Sequence, residues 1–261
     1  MLNKHDLVMT GDPVTCLRPD GASPILLMCD HASRALPEEY GDLGLPKEVF
    51  DQHVAYDIGA RDMTIAMSEA LDATAFLANW SRLLIDPNRS PDEPGYVPTQ
   101  SDGIEIPGNQ NLTMAEIGER QRALHEPFHD AIASHIQSIR RRNIVPLIVG
   151  VHSFTPIMQG AGRPWQVGIL WNRDPRLAEH LLTWLRQDPA LTVGDNEPYS
   201  GKVLGHSMNE HGGANGFANV VIEVRQDLID TPETAAKWGR LMADALVEIS
   251  ADPDLFEIRH Y

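Results

Sequence analysis

Three apolar runs of strand length, each delivering a chemically loaded side chain, constrain this chain more than any other feature in it. Pro24–His31 reads PILLMCDH and ends in Asp30 and His31. Val145–His152, VPLIVGVH, ends in a second histidine, and Val220–Arg225, VVIEVR, carries Glu223 and Arg225. Short, continuously apolar runs with helical patterns between them suit strands buried on both faces. Ligands of open α/β sheets bind beyond the carboxyl ends of such strands. His31, His152 and Glu223 therefore read as parts of one site that the sheet assembles.

The segments between them fill in the architecture. Residues 1–23 form an irregular lead-in with turn signals at Gly11–Pro13 and Pro19–Ser23. Val49, Val54, Ile58 and Ile65 have helical spacing and predict a helix over about 47–71. Short strands are expected at Ala73–Leu77 and Leu83–Ile85. From residue 87 to 113 the chain is rich in Pro, Gly, Asp and Asn; loops of that length usually serve a function. A helix over about 114–142 opens on a Thr113/Glu116 capping box and closes on Arg140, Arg141 and Arg142, which suit the negative end of its dipole. A strand at 166–171, a helix at 174–187 behind Asp174-Pro175, a loop from Val193 to Phe217 and a closing helix from Thr231-Pro232-Glu233 to about 249 complete the pattern. The expectation is one α/β domain spanning residues 1–261, with a mostly parallel or mixed central sheet and helices on both faces.

Composition narrows the function. The net charge of −16 repels nucleic acid and anionic membranes, so a small anionic substrate needs a local arginine pocket. Cys16 and Cys29, the only two cysteines, are too few for a disulfide framework or a thiolate zinc site. The opening MLNKHDLVMT lacks the apolar core of a signal peptide, and no run reaches membrane-spanning length, which predicts a cytoplasmic protein. A P-loop, a dinucleotide-binding glycine fingerprint and a G-x-S-x-G elbow are all absent.

The polar residues suggest metal chemistry. His31 and His152 are candidate ligands through neutral imidazole, and a catalytic zinc takes three protein ligands with one position left open. A carboxylate is the natural third, from Asp57 or Asp30; Asp57 lies four residues after His53, on one face of the expected helix. Asp30 could instead orient an imidazole from behind. Glu223, inside a buried strand, is either an ion-pair partner of Arg225 on the same sheet face or a general base. Ser81–Arg89, SRLLIDPNR, brings Arg82, Asn88 and Arg89, groups suited to gripping a carboxylate. His125-Glu126-Pro127-Phe128-His129 matches the H-E-x-x-H zinc helix, but Pro127 interrupts it and no third ligand follows at the usual spacing. That motif is expected to be a helix face near the site.

The order of His31, SRxxxDPNR, GVHSF and VVIEVRQDLI resembles the N-formylglutamate amidohydrolase family, related in fold to aspartoacylase and the zinc carboxypeptidases. The resemblance runs over residues 24–248, and Asp86-Pro-Asn88-Arg89 and Ile222-Glu223-Val224-Arg225 are its most specific parts. It implies a single Zn2+ on His31, Asp57 and His152, with Glu223 as base and Arg82 at the oxyanion. It also implies that Asn88 and Arg89, with Arg225 beside them, hold the carboxylate of a small acidic N-acyl amino acid such as N-formylglutamate. Those fold relatives use H-x-x-E at the first ligand, whereas Arg34 stands there here, so Asp57 supplies the acid. Three alternatives stay open: a zinc peptidase using HEPFH, a hydrolase of a different N-acyl amino acid or of a peptide side chain on the same fold, and a metal-free small-anion-binding protein.

Overall fold

The computed structural model describes residues 11–203 and 205–261. Seven strands form the central sheet: β1 Val14–Leu17, β2 Ile25–Cys29, β3 Thr74–Ala78, β4 Leu147–Phe154, β5 Val167–Leu170, β6 Val193–Asp195 and β7 Asn219–Arg225. Their spatial order is β1-β3-β2-β4-β7-β5-β6. The four central strands, β3, β2, β4 and β7, run parallel; β1 pairs antiparallel to β3, and β5 antiparallel to β7. The sheet is thus mixed, with a parallel centre whose strands are buried throughout β2, β3 and β4.

Strand alternation decides which side chains meet which helices. Ile25, Leu27, Val149, Val151, Val220 and Ile222 point to one face, where they join Met63 and Met67 of α1 (Ala60–Leu71), Leu181 of α4 (Arg176–Leu185) and Leu246 of α6 (Pro232–Ile249). Leu26, Met28 and Ile148 point to the other, against Phe128, Ile132 and Ile136 of α3 (Glu126–Arg141). Between α3 and the capping-box helix α2 (Met114–Arg120) lies a π-helical turn, Gln121–His125. Pro127 in the first turn of α3 has no N–H to give the preceding turn, and the wider turn absorbs that loss. α5 (His206–His211) sits inside the 193–217 stretch, which also holds β6. No helix among the described residues is long and apolar enough to cross a membrane.

Several sequence expectations need correction. The helix expected over 47–71 is a 3₁₀ turn at Lys47–Asp51, a loop, and then α1. Tertiary bonding overrides the periodicity: the Asp57 N–H donates to the His31 carbonyl at 3.0 Å, and Gly59 turns the chain at φ 79° into α1. His53 and Asp57 therefore share no helical face. Leu83–Ile85 is a turn, whose three apolar side chains are buried in a separate cluster under the long loop. The lead-in contributes an antiparallel edge strand; its residues 1–10, including the segment read for a leader, lie outside the described residues.

The register aligns the site. Glu223 lies opposite His152, and Met28 opposite Gly150, so Asp30, His152 and Glu223 stand on one sheet face in neighbouring rows at the carboxyl ends of β2, β4 and β7. Asp57 is aimed at the same place by the turn at Gly59, where a Cβ would meet the Ile229 carbonyl oxygen and side chain. Gly59→Ala must overcome both left-handed strain and that overlap, and should cost on the order of 3 kcal/mol. A urea midpoint unchanged from wild type would contradict this account of the turn.

Candidate active site

A cavity of about 330 Å³ opens at these carboxyl ends. Of the residues singled out in the sequence, His31, Asp57, Arg82, Asn88, Arg89, His152 and Glu223 all line it. Its size is that of a small-molecule site.

Asp57 is the centre of the polar cluster. Its Oδ2 lies 2.8 Å from His152 Nδ1 and 3.4 Å from His31 Nδ1, and its Oδ1 is 3.1 Å from Arg82 Nη2. One ligand atom from each of His31, Asp57 and His152 falls within 4.8 Å of the others, so these three side chains can hold a metal ion. Two nitrogens and one carboxylate oxygen match the donor set of an open catalytic zinc site. The far nitrogen of each imidazole faces another carboxylate. His31 Nε2–H donates to Asp86 Oδ1 at 2.8 Å, and His152 Nε2 stands 3.4 Å from Asp30 Oδ2. A carboxylate behind each imidazole is the usual support of metal-ligating histidine.

Charge balance points the same way. Burial works against charge on Asp57, yet Arg82, His31 and His152 hold its carboxyl well below the usual range. Burial likewise opposes protonation of His152, but the neighbouring carboxylates of Asp30 and Asp57 drive its pKa well above the ordinary value; Asp86 and Asp57 outweigh burial and Arg82 at His31. Asp86 is pushed down to about 2, because His31 and Arg82 outweigh its desolvation. The carboxylates thus demand positive charge at the imidazole nitrogens, which either protons or a dication can supply. Glu223 is the exception. Desolvation raises it to about 7, and its Oε2 has no hydrogen-bond partner.

Arg82 is largely committed: Nε donates to the Val54 carbonyl, Nη2 to the His53 carbonyl and Asp57, and Nη1 lies 3.0 Å from His31 Nδ1. Arg89, by contrast, has no protein partner for its guanidinium among the described residues, and it lines the cavity together with Asn88. Arg225 does not line it. Its guanidinium pairs with Asp227 at 2.7 Å and with the carbonyls of Arg163 and Trp165, so it neither reaches the cavity nor bonds Glu223. The first residue of the DPNR turn, Asp86, is a site group that the sequence pattern does not reveal. Asp86 was visible only as turn chemistry, yet its Oδ1 accepts from the Asn88 N–H at 2.8 Å and from His31 as well. Tyr199 also lines the cavity and accepts from Arg163 Nη1 at 2.9 Å; it lies in a loop with no local signal.

The profile of the N-formylglutamate amidohydrolase family matches residues 23–230. The chain belongs to that family. It is an amide-bond hydrolase by this membership. The gene product Atu2144 from Agrobacterium tumefaciens is similar to it, with 34% identity and a TM-score of 0.89 over 92% of this chain and 95% of that one. The N-formylglutamate amidohydrolase from Ralstonia eutropha JMP134 shares the fold, with 20% identity and a TM-score of 0.71 over 92% of this chain and 97% of that one. No curated protein matches the sequence.

Because Arg225 is bonded away from the cavity, Arg225→Gln should leave kcat/KM on any accepted substrate within about threefold of wild type. A tenfold rise in KM alone would return it to the substrate site.

Proposed function

We propose that the protein hydrolyses the N-acyl amide of a small acidic amino acid, such as N-formylglutamate, at a single divalent metal ion, zinc by donor set, held by His31, Asp57 and His152. The observation that carries the reading is the juxtaposition of that ligand set with an unpartnered, desolvated Glu223 in one cavity. Asp57 rather than Asp30 is the acidic ligand, because Asp30 lies behind His152. The ion would supply Lewis acidity, polarising the amide carbonyl and acidifying a water.

The protein's own groups do the rest. Glu223, raised to about 7, takes the water's proton and returns it to the leaving nitrogen; a carboxylate whose pKa lies near neutrality suits both transfers. Arg82 holds Asp57 ionised, and its Nη1, bonded to no carbonyl or carboxylate, is the group left to meet the developing oxyanion. Arg89 receives the substrate's α-carboxylate in a bidentate grip, with the Asn88 amide beside it. Asp86 and Asp30 keep the two imidazoles in register from behind. The products are a small acid and an amino acid.

Metal analysis is the first test. His152→Ala should drop the bound ion from about one per chain to near zero; a stoichiometric ion in that variant would sink this ligand set. Glu223→Gln preserves shape but cannot take a proton. It should retain the ion and the fold while kcat falls by ~10²-fold or more. Activity within a few-fold of wild type would make Glu223 structural.

Substrate reading is tested by a four-way comparison. Arg89→Lys loses the planar fork that matches a carboxylate, so kcat/KM on the free N-acyl amino acid should fall strongly. On the matching α-amide, wild type and variant should be about equally poor. Equal harm to acid and amide would mean that Arg89 holds the fold.

A further inference from the structure

The HEPFH segment is not absorbed by that mechanism, yet it lies directly behind the loop that carries Asn88 and Arg89. His125 and His129 stand one helical turn apart, on the π turn and on α3, and both are turned toward residues 86–89. His125 Nε2 is 3.1 Å from the Arg89 carbonyl oxygen, and His129 Nε2 is 2.9 Å from that of Pro87. A carbonyl only accepts, so both nitrogens must carry protons. On neutral His129 this leaves Nδ1 bare, and His211 Nε2 lies 2.8 Å from it. The direction of the chain is thereby forced: His211 Nε2–H to His129 Nδ1, then His129 Nε2–H to Pro87 O. The residue after His206 completes the clamp, with the Ser207 N–H donating to Asn88 Oδ1 at 3.1 Å and its hydroxyl to Pro87 O at 3.3 Å.

We infer that His129, supported by His211 and flanked by His125, is a positioning residue for substrate recognition: it fixes the carbonyls of the 86–89 loop and so sets where Asn88 and Arg89 meet the substrate's carboxylate. Burial keeps the relay neutral, with His129 pushed down to about 3 and His211 to about 4, so the required tautomers hold across the physiological range. One nitrogen each from His125, His129 and His206 also lies within 4.8 Å of the others, a set that could take a metal. Both nitrogens of His129, however, are already spent on His211 and Pro87. The hydrogen-bonded relay satisfies them without an ion.

The inference rests on the proposed role of Arg89, and the test separates the two. His129→Leu, His129→Gln and Arg89→Lys are assayed with the N-acyl amino acid and its α-amide, together with ring ¹⁵N NMR of the wild type. The Gln amide can both donate toward Pro87 and accept from His211. His129→Leu should raise KM for the acid tenfold or more with kcat within threefold, Gln should recover most of that loss, and the amide should show no difference. Wild-type His129 should be the Nε2–H tautomer at pH 7. If Arg89→Lys discriminates acid from amide while His129→Leu does not, this inference fails and the reading of Arg89 stands. If Arg89→Lys does not discriminate, the reading of Arg89 fails, and the inference with it as a statement about substrate; the tautomer then reports only whether the relay exists. Should His129→Leu not fold, His211→Leu removes the first donor of the relay and should raise KM in the same direction. An Nδ1–H tautomer, an unchanged KM, or an equivalent of metal lost on His206→Ala would overturn the proposal.

Discussion

The carboxylate of Asp57, almost wholly removed from water, is the group on which the polar interior depends. Burying such a charge costs several kcal/mol unless partners replace its hydration. Here one guanidinium and two imidazoles do so, and each comes from a different part of the chain: Arg82 from the turn after β3, His31 from the end of β2, His152 from β4. Satisfying Asp57 therefore draws three segments onto one point. The same need explains why 52–59 leaves the helical path that its apolar spacing favours. A helix there would carry Asp57 away from its partners, and the left-handed turn at Gly59 restores α1 only after the carboxylate is placed.

The site that results has two ends with different physics. At the sheet end, the groups are rigid, desolvated and mutually charged, and backbone pairing sets their spacing through the register of β2, β4 and β7. At the loop end, Asn88 and Arg89 stand on an irregular segment that no strand fixes. That end is held by hydrogen bonds to its carbonyls from the π turn, α3 and α5. Division of this kind suits an amide hydrolase. The reacting groups need fixed electrostatics, and the reading of a substrate's outer carboxylate needs a precisely aimed but uncommitted cation. In a chain of net charge −16, Arg89 is a local exception whose effect is short-ranged.

Much of this was legible in the residues themselves. A strand that must be apolar yet ends in His, or contains Glu, carries its function against its own propensity, and the three such strands are neighbours in the sheet. The closing helix was equally readable, since Thr231 caps it and Pro232 opens it. What could not be read depended on partners distant in sequence. Periodicity over 47–71 competed with one backbone bond to His31, and the tertiary bond won. Arg225, two residues beyond Glu223, looked like its partner by sheet alternation, but Asp227 lies nearer and takes it. Asp86 looked like turn chemistry because it is turn chemistry; nothing local reveals that the oxygen capping the turn also faces His31.

That shared oxygen ties the two ends together. Asp86 Oδ1 accepts from the Asn88 N–H, which shapes the cavity-lining loop, and from His31 Nε2–H, which sets the orientation of a proposed metal ligand. A small displacement of the loop must therefore lengthen one bond or the other, and both are made to a carboxylate held ionised in a buried setting, where a lost partner is costly. The loop is consequently not an independent module attached to a catalytic sheet. Its position is a condition for the imidazole's position. Under the proposed function, recognition at the loop end of the cavity and the chemistry at the sheet end share a single carboxylate, without any moving part.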